Sequence, residues 1–259
     1  MERDTQRRRR VGVWAFALAV AAVGIAAVAG QRQWFRLPPN SIPWEAPDLT
    51  RSPGWFAHMQ IGRLVVEPER CFAALGEAGV EFTPLQDRTI GEACGYTNVV
   101  RLDRSPIAFD RKATATCSLA VALTWYQHAL APLAEHMLGA RVVRIEQLGT
   151  FACRNVNSEA EGTRSQHATA NAIDIAGYVL SDRRVVSVAR DWNKPTAEGR
   201  FLAEAHVVAC RVFMACWDRI TTACMPTIFI STWAPTASAG NALRACHRRS
   251  VVITSILLP

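Results

Sequence analysis

Arg164 to Gly177 reads RSQHATANAIDIAG, and the architecture turns on how its second half is taken. From Ala172 to Ala176 two isoleucines, Ile173 and Ile175, bracket Asp174. Successive side chains of a strand leave opposite faces. The pattern therefore predicts a strand that sends both isoleucines into a core and presents one carboxylate at the sheet surface. His167 precedes Asp174 with six residues between them. An imidazole nitrogen and a carboxylate oxygen brought together in this way suit two legs of a zinc site, with ligand bonds of about 2.0–2.2 Å. A catalytic zinc needs a third protein ligand and an open position for water. The plainer alternative is a surface histidine with an aspartate that caps a loop, and spacing alone leaves both open.

Working outward, the elements on either side are short and mixed. Leu64 to Glu67 (LVVE) is a strand candidate, and Pro68 opens a helix that Gly79 stops. Val80 to Phe82 and Val99 to Leu102 read as extended pieces, with Cys94-Gly95-Tyr96 loop-like between them. Cys117 to Leu138, rich in Ala and Leu, predicts a long helix with Pro132 as a kink point. Arg141 to Ile145 predicts a strand running toward Phe151 and Cys153, and Ala172–Leu180 with Val185–Ala189 predicts a hairpin around Ser181–Arg184. Pro195 opens a last helix reaching about Phe213. Separated helices and short strands without a strand-helix-strand repeat predict an α+β fold: a small mixed or antiparallel sheet with flanking helices.

The chain has 259 residues, half of them apolar, with eight tryptophans, eight cysteines and a net charge of +7. That composition excludes a disordered or collagenous chain. Residues 1–10 carry five arginines against Glu2 and Asp4, and residues 214–259 carry four against Asp218. The body between them is left at +1, so no nucleic-acid footprint is expected.

The charge at the amino terminus has another reading. Arg7–Arg10 precede twenty uncharged residues, Val11 to Gly30, long enough for the roughly 30 Å of a bilayer core. This predicts a membrane helix or signal anchor over 1–30, arginines in the cytoplasm and the rest across the membrane. Ala27-Val28-Ala29 offers a cleavage site, which would release a periplasmic or secreted protein instead. Residues 31–63, with Pro38, Pro39, Pro43, Pro47 and Pro53 among Trp34, Trp44 and Trp55, read as a linker or as a strap lying across the domain or the membrane interface. The globular body is expected over 64–213.

Beyond local pattern, CRNVN at Cys153–Asn157, SQHATANAIDIAGY at Ser165–Tyr178, ARDW at Ala189–Trp192 and ACRVF at Ala209–Phe213 resemble the bacterial extensin-like C-terminal domain family. PERCFAALGEAGVEFTPL, CGYTNVVRL and RVVRIEQLGTFACRN upstream fit as well. That family is similar in turn to zinc D-alanyl-D-alanine carboxypeptidases and related peptidoglycan peptidases. The resemblance implies a small α+β fold, His167 and Asp174 as zinc ligands with Ser165 before them, and peptidoglycan peptides as partners. It implies hydrolysis of a wall-peptide amide of the D,D type, in the periplasm. Arg164 is a candidate for a substrate carboxylate by proximity alone.

The carboxyl end departs from the family, whose members continue with a cluster of the form HADHFHLD that supplies a later His and an acidic base. After Phe213 this chain reads MACWDRITTACMPTIFISTWAPTASAG, which matches nothing there. It resembles the right DNA translated in the wrong frame. In the frame that takes the last base of each preceding codon, Met214–Ala215, Trp217–Asp218 and Trp233–Ala234 force glycines, Cys216–Trp217 a leucine and Met225–Pro226 an alanine. The other positions permit HGVLGPDYNRMHADHFHLDMGPYSICR. Residues 214–259 are thus expected to be an out-of-frame tail, and the chain to be inactive for want of the third ligand and the base. His206 and His247 are poor substitutes.

Cysteine parity agrees with this reading. Cys71, Cys94, Cys117, Cys153 and Cys210 are an odd set of disulfide candidates for an exported domain. The shifted frame permits a sixth, and six cysteines leave fifteen connectivities open. The competing functional class is a non-catalytic wall-binding or envelope-scaffold protein.

Overall fold

The computed structural model describes residues 13–21, 23–24, 38–158, 160–217 and 228–231. From Pro39 onward, helices α1 (Ala57–Leu64) and α2 (Pro68–Glu77) come first, then strands β1 (Glu81–Pro84), β2 (Arg88–Gly91), β3 (Cys94–Tyr96), β4 (Val99–Arg104), β5 (Ala108–Phe109) and β6 (Thr114–Thr116). The long helix α3 (Cys117–Leu138), β7 (Val142–Gly149), β8 (Ala172–Leu180) and β9 (Val185–Ser187) follow. Helices α4 (Val188–Asp191) and α5 (Ala197–Val212) and strands β10 (Ala215–Trp217) and β11 (Ile228–Ser231) complete the order. The fold is α+β, with small, mostly antiparallel sheets and flanking helices.

Helix α3 is the element around which the rest packs, because it is apolar on nearly every side. From Cys117 through Gln127 every residue is buried. Thr116 caps its start by accepting a hydrogen bond from Leu119 N at 3.3 Å. Gly139 ends it in the left-handed region at φ 66°, a conformation glycine adopts without a Cβ clash. Pro132 lacks the N–H that would bond His128 O, yet the helix runs through it unbroken.

The main sheet has the order β10-β11-β8-β7-β5. β8 pairs with β7 along most of its length, while its other edge is shared. β9 occupies the edge at Gly177–Val179, and β11 occupies it at Ala172–Ile175. Ile173 and Ile175 are fully buried in the cluster that holds Leu119, Leu123, Phe201 and Leu202. A one-residue slip of register would expose both isoleucines, at about 1.5–3 kcal/mol each, and turn Asp174 inward. That difference pins the carboxylate to the face away from the helices.

Three sequence expectations meet the structure differently. LVVE is not a strand: Leu64 ends α1, and Val65 and Val66 form a turn before α2. The β-branched preference yields there because Leu64 packs inward at the end of a helix. Cys94-Gly95-Tyr96, expected to be a loop, pairs with β2 as a short strand.

Third, Pro39 onward belongs to the same compact unit as the body, with the division between Pro38 and Pro39. The stretch lies across the domain as a strap. Asn40 Nδ2 donates to Asp48 O and to Ser52 O, both at 3.0 Å, and Asn40 Oδ1 accepts from Asp48 N at 2.8 Å. Trp125 Nε1 of α3 donates to Arg51 O at 2.6 Å, and Leu49 is buried. Prolines rule out regular structure there, so side chains satisfy the backbone instead.

Among the described residues no helix is long and apolar enough to cross a membrane. The span expected over 11–30 lies partly outside those residues. Within it, 13–21 and 23–24 are helical, and Val13, Trp14, Phe16, Leu18, Val20 and Val23 are exposed. Of the tail expected over 214–259, most also lies outside the described residues.

Candidate functional site

Between β7 and β8 the chain makes an irregular excursion that carries His167. It is held as a ribbon: Asn155 bridges Arg164, Ser165 N donates to Arg154 O at 3.1 Å, and Ala152 N donates to His167 O at 3.0 Å. The Cys94–Cys153 disulfide ties this ribbon to β3. A second disulfide, Cys71–Cys117, joins α2 to the start of α3. Cys210 is disulfide-bonded as well, and none of the described cysteines is free.

Gln166–Thr169 is one turn of 3₁₀ helix, opened by Ser165, whose hydroxyl accepts from His167 N at 3.3 Å. It closes at Ala170, which holds φ 54° without being glycine, a strained conformation that surrounding contacts must stabilise. They do: Thr116 N donates to Ala170 O at 2.9 Å, Thr116 Oγ1 to Asn171 Oδ1 at 2.8 Å, and Asn171 Nδ2 to Gln166 Oε1 at 3.1 Å. The turn that positions His167 is thereby locked to the amino end of α3.

The result is a meeting of the two residues singled out in sequence. His167, 2 % exposed, brings Nε2 to 3.4 Å from Asp174 Oδ2. Asp174 Oδ1 is buried and takes no hydrogen bond among the described residues, an arrangement that costs stability unless something else binds there. Two atoms each about 2.1 Å from one metal, at a tetrahedral angle, lie about 3.4 Å apart. The pair therefore fits two legs of a zinc site.

The remaining candidates do not join them. Among the described residues no group of three or more His, Cys, Asp or Glu side chains is placed to hold a metal. His206 sits on α5 with its ring edge-on to Trp192 at 5.8 Å and its Nε2 3.5 Å from Cys210 Sγ. His247 lies outside the described residues. The Arg164 guanidinium is engaged structurally, donating from Nη1 to Asn155 Oδ1 at 3.1 Å and from Nη2 to Glu92 O at 3.2 Å.

Sequence reasoning missed Thr116, Asn171 and Gln166 as the groups that orient His167. The legible signal was local: a serine two residues before the histidine is a typical opener of a helical turn. Thr116 is 55 residues from Asn171, and no local pattern connects them.

A disulfide-braced α+β domain, with a histidine and an aspartate converging on one face of its main sheet, is the class that fold and site define. The chain belongs to the extensin-like protein C-terminus family, whose profile matches residues 69–217. That match takes in the Cys71–Cys117 and Cys94–Cys153 disulfides, the His167 turn and β8. No curated protein and no solved structure matches the chain.

Proposed function

We propose that the domain is built for zinc-dependent hydrolysis of peptide amides in peptidoglycan, on the periplasmic side of the inner membrane, with residues 11–30 as the anchor. The observation that carries this reading is the 3.4 Å approach of His167 Nε2 to Asp174 Oδ2 beside a buried carboxylate oxygen that takes no hydrogen bond among the described residues. Two disulfides within the family match suit an oxidising compartment. A bound zinc would polarise the scissile carbonyl and bring the pKa of its water toward ~7. His167 and Asp174 would hold it. Ser165, through His167 N, and Thr116, through Ala170 and Asn171, keep the imidazole aimed at the carboxylate.

Among the described residues the chain offers two such ligands, and we infer that it is inactive. The alanine of HADHFHLD is the one forced at Met225–Pro226, which sets that cluster at positions 225–232. β11, Ile228–Ser231, runs antiparallel beside Ala172–Ile175 with Phe229 opposite Asp174. This supports the reading that a frame slip near codon 213 has replaced the strand carrying the third ligand. Resequencing the gene tests the slip. An intact reading through that codon, with no slip, would sink it.

The functional test compares the chain as written with a frame-restored chain by zinc analysis and digestion of purified muropeptides. The expected result is close to one zinc and amide cleavage only after restoration. Hydrolysis by the chain as written would refute the inactivity. A restored chain that binds no zinc would favour the second reading, a non-catalytic wall-binding or scaffold protein. That reading draws support from the engagement of Arg164 with Asn155 and Glu92.

A further inference from the structure

Helix α1 is apolar on two opposite faces. Its inward face, Ala57, Gln60, Ile61 and Leu64, is buried. Phe56, Met59, Arg63 and Val66 recur at helical spacing on the other side, and the three apolar ones are 39 %, 55 % and 77 % exposed. Gln60 N donates to Phe56 O at 2.9 Å and Val66 N to Arg63 O at 3.2 Å, so Phe56 and Val66 extend the helical path at both ends. Trp55, immediately before the helix, is fully exposed. Gln60 Nε2 donates to Ile42 O at 3.0 Å and holds the turn bearing exposed Trp44 against the same helix. Interior packing explains none of these outward side chains.

Their place in the chain indicates what covers them. Eight residues, 31–38, separate the apolar stretch ending at Gly30 from the strap, a reach of at most about 29 Å when fully extended. Tryptophan and phenylalanine flanked by arginine stems are the side chains that favour the boundary between headgroups and acyl chains. We propose that the outer face of α1, with Trp44 and Trp55, docks on the lipid bilayer surface and holds the body against it. The proposal rests on the anchoring role of residues 11–30.

The chemistry of the contact is apolar. Residues 39–70 carry three arginines against Glu45, Asp48, Glu67 and Glu69. Arg51 pairs with Asp48, and Arg63 and Arg70 both pair with Glu67. The stretch is left at a net −1 with no surplus positive charge to attract anionic lipid, so high salt should not weaken the docking.

The test uses the full chain reconstituted in vesicles of phosphatidylethanolamine and phosphatidylglycerol. Flotation reads anchoring, and quenching of tryptophan emission by lipids brominated near the carbonyl end or near the bilayer centre reads depth. With Trp14 and Trp34, which would lie near the two interfaces themselves, replaced by phenylalanine in every sample, the Trp44→Ala/Trp55→Ala variant should float like the parent yet lose most of the shallow quenching. Met59→Asp, which keeps Trp44 and Trp55, should weaken shallow quenching of Trp55. All three positions are exposed, so folding is not at stake. Flotation with unchanged shallow quenching in both variants would overturn the docking and leave the anchor intact. Failure of the parent to float would remove both. Shallow quenching that collapses in high salt would overturn an apolar contact.

Discussion

The two halves of β8 treat buried polar groups in opposite ways. In the second half Tyr178 is fully buried and its hydroxyl meets that of Tyr126 on α3 at 2.6 Å. Its ring packs edge-on against Phe201 at 5.5 Å. In the first half Asp174 faces away from the same core, meets His167 at 3.4 Å, and keeps a buried oxygen without a hydrogen bond among the described residues. A polar group that serves packing is matched inside the fold. One that is held in place but left unmatched among the described residues marks a candidate for chemistry, and the difference sets a structural pair against a candidate functional one.

The comparison breaks most visibly by emptying the structural half. Tyr178→Ala should cost about 3–5 kcal/mol in a denaturant titration, the range for deleting a buried aromatic ring. Next, Cys94→Ser/Cys153→Ser should cost about 2–4 kcal/mol by releasing a long cross-link. Hydrogen exchange should then rise at Ala152 and Ala170, whose N–H groups both donate to His167 O, and stay low around Tyr126. Equal loosening of both halves would contradict the division.

A smaller effect is expected from Tyr126→Phe, which strands the Tyr178 hydroxyl at about 1–3 kcal/mol, while the double change to phenylalanine should be closer to neutral. Burial pushes both phenols above their ordinary range. The folded pair holds its protons when the unfolded chain begins to lose them near pH 10, so this contribution is full below that pH and falls as pH rises. The double variant should lose much of that alkaline sensitivity in thermal melts. The smallest effect belongs to Asp174→Ala, which should change stability by less than about 1 kcal/mol or raise it slightly, since no hydrogen bond to Oδ1 is lost. In a frame-restored chain the same substitution should abolish zinc binding. A large loss of stability from Asp174→Ala would make the aspartate structural after all.

Much of this was legible along the chain. Helix α3 runs from Cys117 to Leu138 as its Ala and Leu content indicates, and β8 occupies Ala172–Leu180 with its isoleucines inward. These are local matters of side-chain period and capping. The strap was only half legible. Proline spacing excluded regular structure only as far as Gly54, since α1 (Ala57–Leu64) is a helix inside the stretch read as a linker, and the contacts from Asn40 to Asp48 and from Trp125 to Arg51 join groups that no periodicity connects. LVVE misled because β-branched side chains fit the end of a helix as well as a strand when packing asks for it.

For this protein the sequence by itself determines which face of β8 is apolar, which residue types could bind a metal, and that cysteines stand ready to cross-link. Alternation and residue chemistry are properties of neighbours in the chain. Tertiary structure alone decides that Cys94 meets Cys153, that Thr116 braces the turn bearing His167, and that this imidazole comes within 3.4 Å of Asp174. Those meetings depend on where the 150–171 excursion is pinned against α3 and β3. A chain position carries no information about its distant partners until the core has closed around them.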